Sequence, residues 1–341
     1  MVQHFKIKPS LPLALGWIPY WNLLPLRHEL ERLVGPEVEF HRGHPAIVNR
    51  WLSEGKVALA PCSSVCLVKN SQLEIAFPLG IASSGSVGSV YLGFHHEETG
   101  VVDVIKQRQA MLREIFRQGT ARSGGDVRRL ASFVFKMAAT LPPLPLDVAP
   151  PLTVTPASAS STHLARILYR LWFGEAAYEM RASSSSGLNT ALSLRRPMEL
   201  LIGDEALIRR ASFRTVVDLG EAWRELTDLP FVFAVWQTSR QTMSPYWRER
   251  LFEAAELAQA RMRVEPCHYV PDPMSVDVNG HPIDFATYWR GIQYRLGPQH
   301  FKGLALFLAL TRCHQPDTVD DQAVVNIMRW ESFAESMQPR A

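Results

Sequence analysis

The feature that most constrains this chain is a repeated switch between short apolar runs and stretches of helical period. Residues 13–18 are apolar, and Leu26, Leu30 and Leu33 follow at helical spacing with charges between them. Residues 38–40 and 57–60 are further short strand-like runs, separated by a helical stretch at 47–52 that Gly55 ends. Strands alternating with helices predict an α/β fold with a largely parallel sheet. An apolar stretch at 73–81 then leads into the small-residue loop Ser83-Ser84-Gly85-Ser86-Val87-Gly88-Ser89, and a strand over 90–94 follows. The alternation resumes with strands at 152–155, 177–180, 198–202 and 231–236. Helices fall between them at 162–172, at 188–194 and around Trp223. The remainder reads as helical. Ser244-Pro245 is a helix start, and Trp247, Leu251, Ala254, Ala258 and Met262 mark one face. Asp284 can cap a helix carrying Phe285, Tyr288, Trp289 and Ile292. Helices at 301–310 and 324–333 end the series.

A chain of 341 residues is about twice the usual domain length, so two domains are expected. Residues 95–150 interrupt the alternation and read as a helical insertion, with helices at 101–117 and 127–139 and a Pro-rich link at 141–151. Residues 101–141 hold eight Lys/Arg against three Asp/Glu. That excess suits a docking surface for an acidic partner or simply a solvated hairpin. Over the whole chain, 36 basic and 33 acidic side chains leave a net charge of +3, without the clustered stripe of a nucleic-acid binder. No apolar run reaches the roughly 18 residues of a membrane span. Cys62, Cys66, Cys267 and Cys313 form no disulfide framework, and the first residues lack the apolar core of a signal peptide. A cytoplasmic location is therefore expected.

Generic catalytic motifs are weak. The 83–89 loop lacks both the phosphate-loop ending and the three-glycine dinucleotide fingerprint. His95-His96 before Glu97-Glu98 matches no metal-ligand spacing, so neither a metal nor a cofactor is expected. Cys62 and Cys66 read as small hydrophobes. Asp204, at the end of an apolar strand, is either a general base at a ligand crevice or a helix cap. Asp218 reads as a turn or cap residue. Trp17, Tyr20 and Trp21 suit either the core or a crevice wall. More informative are two donor clusters: Ser83, Ser84, Ser86 and Ser89 in one loop, and Ser158, Ser160, Ser161 and Thr162 at a helix start. Helix starts and small-residue loops bind carboxylates or phosphates without basic side chains. One cluster in each half suggests an anionic small molecule held between two lobes.

Several segments, in order, carry a family resemblance. They are Tyr20-Trp21-Asn22-Leu23-Leu24-Pro25-Leu26, residues 49–55, 60–64 and 81–92, Ser158-Ala159-Ser160-Ser161, Leu200-Leu201-Ile202-Gly203-Asp204-Glu205-Ala206-Leu207, Asp218-Leu219-Gly220-Glu221-Ala222-Trp223, and residues 227–236. Together they resemble the chorismate dehydratase family of the futalosine route to menaquinone, related to dihydroxynaphthoate synthase. The resemblance implies a two-lobed periplasmic-binding-protein-like flytrap with two crossover strands, 89–94 and 231–236, and C-terminal helices. Lobe I would comprise residues 1–90 and 237–341, and lobe II residues 91–236. The implied activity is a hydro-lyase reaction converting chorismate to 3-[(1-carboxyvinyl)oxy]benzoate, without metal or cofactor. Asn22, Ser89 and Ser86 are the expected catalytic residues. Ser83, Ser84, Gly85, Ser160, Ser161 and Asp204 are expected to bind substrate. A non-catalytic binding protein or sensor for an anionic cyclic metabolite is the alternative on the same fold.

Overall fold

The computed structural model describes residues 12–70, 72–94, 99–144, 149–155, 157–174, 180–182, 198–239, 244–271, 275–314 and 321–336. Through the serine-rich loop the chain runs β1 (Leu13–Trp17), α1 (Leu24–Val34), β2 (Val38–Arg42), α2 (Pro45–Ser53), β3 (Leu59–Ser63), α3 (Cys66–Lys69) and β4 (Leu73–Ser83). Next come β5 (Val90–Phe94), α4 (Thr99–Ser123), α5 (Val127–Ala138), β6 (Leu152–Val154), α6 (Ala159–Phe173), β7 (Met180–Ala182) and β8 (Met198–Ile202). Then follow α7 (Gly203–Arg209), β9 (Thr215–Asp218), α8 (Leu219–Thr227) and β10 (Phe231–Ser239). The last elements are α9 (Pro245–Val264), α10 (Phe285–Arg290), β11 (Gln293–Arg295), α11 (Pro298–His314) and α12 (Asp321–Ser336).

Two sheets organise these elements. The first has the order β11-β4-β10-β3-β1-β2 and the second β7-β6-β8-β5-β9. Strands β1, β2 and β3 pair in parallel, as do β6, β7 and β8, each as the alternation of strand and helix requires. The sheets are nevertheless mixed. Strand β10 runs antiparallel between β3 and β4, and β5 runs antiparallel between β8 and β9. Both antiparallel strands begin just after a passage of the chain from one sheet to the other. Each pairs within a single sheet, so the passages themselves are the 84–89 loop and residues 228–230. Strand β3 begins two residues later than the apolar run suggests. Strand β9 has no strong sequence signal, being only four residues long. The expected helix at 188–194, the first part of the expected strand at 177–180, and His95 to Glu98 lie outside the described residues.

The apolar side chains fall into two large clusters. One lies around the first sheet with α1, α2, α9 and α10 and includes Trp17, Leu30, Phe77, Trp236, Leu251 and Trp289. The other gathers α4, α5, α6, α8, α11 and α12 around Leu92, Trp172, Trp223, Phe231 and Phe307. The insertion contributes directly to this second core. Ile105, Leu112 and Phe116 of α4 and Leu130 and Val134 of α5 are buried, so only its outer face meets water. Gln109 fastens it from within: its amide donates to the Ala222 carbonyl and accepts from the Trp172 indole N–H. Helix α11 packs on β10 as well as on α5 and α6, and so joins the two sheets. That approach requires Gly303, where any Cβ would sit 2.2 Å from the Pro230 carbonyl oxygen. Among the described residues no helix is long and apolar enough to cross a membrane.

Candidate functional site

A partly open cavity of about 60 Å³ lies between the two sheets. Its walls are Ile18, Tyr20, Asn22 and Leu23 after β1, Pro45 at the start of α2, and Ser63 at the end of β3. Across from them are Ser89 and Val90, Ser158 and Ser161 at the start of α6, and Ile202 and Gly203 after β8. These are strand ends and helix starts, where an α/β sheet presents its ligand crevice. Such a volume holds a few ordered waters. None of these lining residues carries a charge at neutral pH. The polar groups on offer are hydroxyls, one carboxamide and the N–H groups of helix starts. Their partial positive charge favours an anion while leaving nothing to titrate.

Asn22 is held by its backbone rather than by its side chain. The Tyr294 hydroxyl donates to the Asn22 carbonyl at 2.6 Å, and the Trp289 indole donates to the Trp21 carbonyl at 2.9 Å. The Trp21 N–H donates to Asp204 Oδ1 at 2.9 Å, across the gap between the lobes. Three hydrogen bonds thus fix the turn, while Asn22 Oδ1 is buried without a partner among the described residues. A buried acceptor left open on a rigid segment is costly, by about 1–3 kcal/mol, and ligand sites are where such costs persist.

The serine-rich loop divides its work. Asp218 accepts from Ser86 Oγ at 2.8 Å and from the Val87 and Gly88 N–H groups, while also capping α8 through Gly220 and Glu221. Ser83 Oγ donates to the Gly85 carbonyl, and Ser84 Oγ donates to Gln293 Oε1. That leaves Ser89, whose carbonyl accepts from Gly203 N–H at 2.8 Å and whose residue lines the cavity. At the α6 start, Ser158 caps the helix by accepting from Ser161 N–H. Ser160 instead bonds Ser64 Oγ at 2.9 Å and accepts from Val65 N–H, joining α6 to the first sheet.

Of the residues expected from the sequence, the structure gathers Asn22, Ser89 and Ser161 at one cavity. Ser83, Ser84, Gly85, Ser86, Ser160 and Asp204 do not line it, and the hydroxyls of those serines and the Asp204 carboxylate are committed to protein partners. Asp204 does not cap its own helix, whose N-cap is Ile202. It caps the turn at Trp21 on the opposite lobe. Burial pushes its carboxyl up to about 6, against the opposing pull of the Trp21 N–H. Behind it, burial and the Asp204 charge hold the Tyr20 phenol above its usual range. Ser63 and Phe233 also line the cavity. In the sequence both fell only within resemblance segments, 60–64 and 227–236, with no sign of a cavity role: Ser63 lay beyond the expected strand at 57–60, and Phe233 sits inside a uniformly apolar strand.

Other features do not compete. An open groove of about 590 Å³ is lined by Leu67, Ile75, Arg248, Ile327 and Trp330 among others, and shares no residue with the cavity. His28, Glu29 and His268 bring ligand atoms within 4.8 Å of one another. Glu29, however, already accepts from Tyr269 and Arg32 and pairs with Arg261, whose guanidinium also meets His268. Fixed cations at those atoms leave no place for a metal ion.

Solved structures share the architecture. The alkanesulfonate-binding protein SsuA from Xanthomonas axonopodis pv. citri, bound to MOPS, superposes with a TM-score of 0.55 at 9% identity, covering 94% of this chain and 99% of that one. The ligand-binding component of an ABC-type import system from Staphylococcus aureus gives 0.52 at 8% identity, covering 93% and 98%. A Candida albicans protein described as having the generic periplasmic binding protein fold gives 0.50 at 9%, covering 93% and 94%. At these identities the likeness concerns the fold, which is periplasmic-binding-protein-like. No curated protein matches the sequence. The sequence does match the family described as Menaquinone biosynthesis over residues 13–107 and 127–312, which is most of the chain including both sheets and every wall of the cavity. This protein is a member of the menaquinone biosynthesis family.

Proposed function

We propose that the protein is a hydro-lyase of menaquinone biosynthesis, removing water from chorismate to give 3-[(1-carboxyvinyl)oxy]benzoate. The observation that carries this reading is the open Asn22 Oδ1, fixed on a pinned turn inside an uncharged cavity walled by helix starts. The reaction breaks the C3–H and C4–O bonds of the ring. The C3 proton is vinylogous to the ring carboxylate, so its removal yields an extended enolate that expels hydroxide from C4. The hydroxide takes a proton and leaves as water, and aromatisation drives the step. A site for this chemistry needs orientation more than a strong base. Asn22 orients the ring by accepting from the C4 hydroxyl. Ser89 donates toward the departing oxygen. Ser158 and Ser161 at the start of α6, with the helix dipole behind them, suit a carboxylate. The proton is assigned to the enolpyruvyl carboxylate of the substrate, since no lining residue is a histidine, a carboxylate or a lysine.

Purified protein incubated with chorismate, followed by chromatography with mass detection, tests the proposal. A product lighter by one water, formed faster than without enzyme, is the expected result. The same uncharged lining also suits a plain binding protein. Unchanged chorismate together with a raised melting temperature would favour that second reading. The absence of both effects would exclude chorismate as the ligand.

A further inference from the structure

Two facing walls of the cavity are joined by two consecutive residues. Gly203 and Asp204 open α7, on the side of the second sheet. The Gly203 N–H donates to the Ser89 carbonyl at 2.8 Å. The Asp204 carboxylate accepts at 2.9 Å from the N–H of Trp21, the residue before Asn22. Asn22 on one wall and Ser89 on the other are therefore linked through a single dipeptide. The bonds from Trp289 and Tyr294 hold the Trp21-Asn22 turn from its own side, since Trp289 lies on α10 and Tyr294 on β11 of the first sheet. They fix the shape of the turn but not its distance from Ser89. Among the described residues, only the bond to Asp204 carries this turn across to the second sheet.

Helix α7 is itself fixed. Ala206 packs with Tyr91, Leu201 and Phe213 of the second sheet, and Leu207 packs against the core of the first. At the far end the Val278 N–H donates to the Ile208 carbonyl at 3.0 Å. The near end leaves no slack. Gly203 has a φ of +60°, and a Cβ there would sit 3.2 Å from the Tyr20 ring. Glycine meets both demands, the backbone conformation and the close approach.

We propose that Asp204 is a positioning residue: with Gly203 it forms a spacer that sets the separation of Asn22 from Ser89. Groups carried by different sheets move with their sheets, and a misplacement of about 1 Å costs an oriented site up to about a hundredfold in rate. The spacer ties both groups to one rigid segment. The role rests on the assignment of Asn22 and Ser89 to the substrate site made above, and goes beyond it by naming what holds one against the other.

Asp204→Ala removes the acceptor, whereas Asp204→Asn keeps an oxygen for the Trp21 N–H and lacks the charge. With chorismate, kcat of Asp204→Ala falls about tenfold or more while KM changes by less than about threefold. Asp204→Asn restores turnover to within about threefold of wild type. The double variant of Asn22→Ala and Asp204→Ala falls no further than Asn22→Ala alone, because Asp204 acts through Asn22. Full activity of Asp204→Ala overturns the proposal. So do multiplicative losses in the double variant. An Asp204→Asn variant as slow as Asp204→Ala overturns it too, since the carboxylate would then act in its own right. Hydrogen exchange of the unliganded proteins tests the spacer without the reaction. The Trp21 amide exchanges about tenfold faster or more in Asp204→Ala and stays slow in Asp204→Asn. If wild type leaves chorismate unchanged, the hydro-lyase reading fails by itself. Exchange then decides the spacer: a Trp21 amide released only in Asp204→Ala supports it, and unchanged exchange overturns it.

Discussion

Asp204 and Asp218 occupy equivalent places: each lies at the end of a short strand of the second sheet and at the start of a helix. Their surroundings differ completely. Asp218 accepts from four backbone N–H groups and one hydroxyl, so its carboxylate is well satisfied and organises both α8 and the loop bearing Ser89. Among the described residues Asp204 has one donor, the Trp21 N–H of the opposite lobe, and its carboxyl is pushed up to about 6 by burial. One acid is embedded in its own lobe as a structural centre. The other is a poorly satisfied charge at the contact between lobes. The difference teaches that a strand-end carboxylate is saturated when the backbone beside it supplies the donors, and is under-bonded and pushed up in pKa when its donor must come from the opposite sheet.

The largest expected effect is on the saturated side. Asp218→Ala leaves the Val87, Gly88 and Gly220 N–H groups without their acceptor and removes a helix cap, lowering stability by about 3–4 kcal/mol in urea unfolding. A loss under about 1 kcal/mol would dissolve the contrast. Next is Asn22→Ala, on the turn that Asp204 caps. Turnover of chorismate falls by a hundredfold or more, on the scale of one oriented polar group, with the melting temperature little changed. Full activity would remove Asn22 from the site.

Asp204→Asn keeps an acceptor for Trp21 and removes the buried charge. The folded-state carboxyl lies above its ordinary value, so it favours the protonated form on folding. The wild type therefore gains stability as pH falls from about 6 toward 4, and loses it as pH rises through about 6. The variant lacks this dependence and is more stable near pH 7.5 by about 1–2 kcal/mol, a margin that closes near pH 4 in unfolding titrations. Parallel stability curves for the two proteins would mean that Asp204 is not the strained acid of the pair. Smallest is Ser86→Ala, which removes one of the donors to Asp218. It costs about 1 kcal/mol of stability and changes turnover by less than threefold, whereas a large kinetic loss would return Ser86 to the catalytic group.

Much of this contrast was hidden locally. The alternation of apolar runs and helical stretches specified β1, α1, β2, α2, β5, α6, β8 and β10 closely, because each run is short, bounded and of a single period. Asp284 and Ser244 were legible as helix starts, since cap and proline signals act over three or four residues. The mixed direction of the sheets was not legible. The strand-helix-strand pattern carries no sign of where the chain changes sheet and inserts β10 between β3 and β4. Nor was the sharing of labour among the serines. A seven-residue loop with four hydroxyls looks uniformly like a ligand cradle, yet Asp218, well over a hundred residues away, takes Ser86 and the backbone beside it.

What the sequence determined by itself was therefore what short-range physics controls: the elements, their caps, the family, and a site rich in small donors and poor in charge. The tertiary structure alone decided which donors remain open. Ser84 is taken by Gln293, Ser86 by Asp218 and Ser160 by Ser64, while Asn22 Oδ1 is left without a partner among the described residues. The physical reason is that a hydrogen bond forms between groups that meet in space. These partners meet only after two sheets, built from interleaved stretches of chain, have closed on one another.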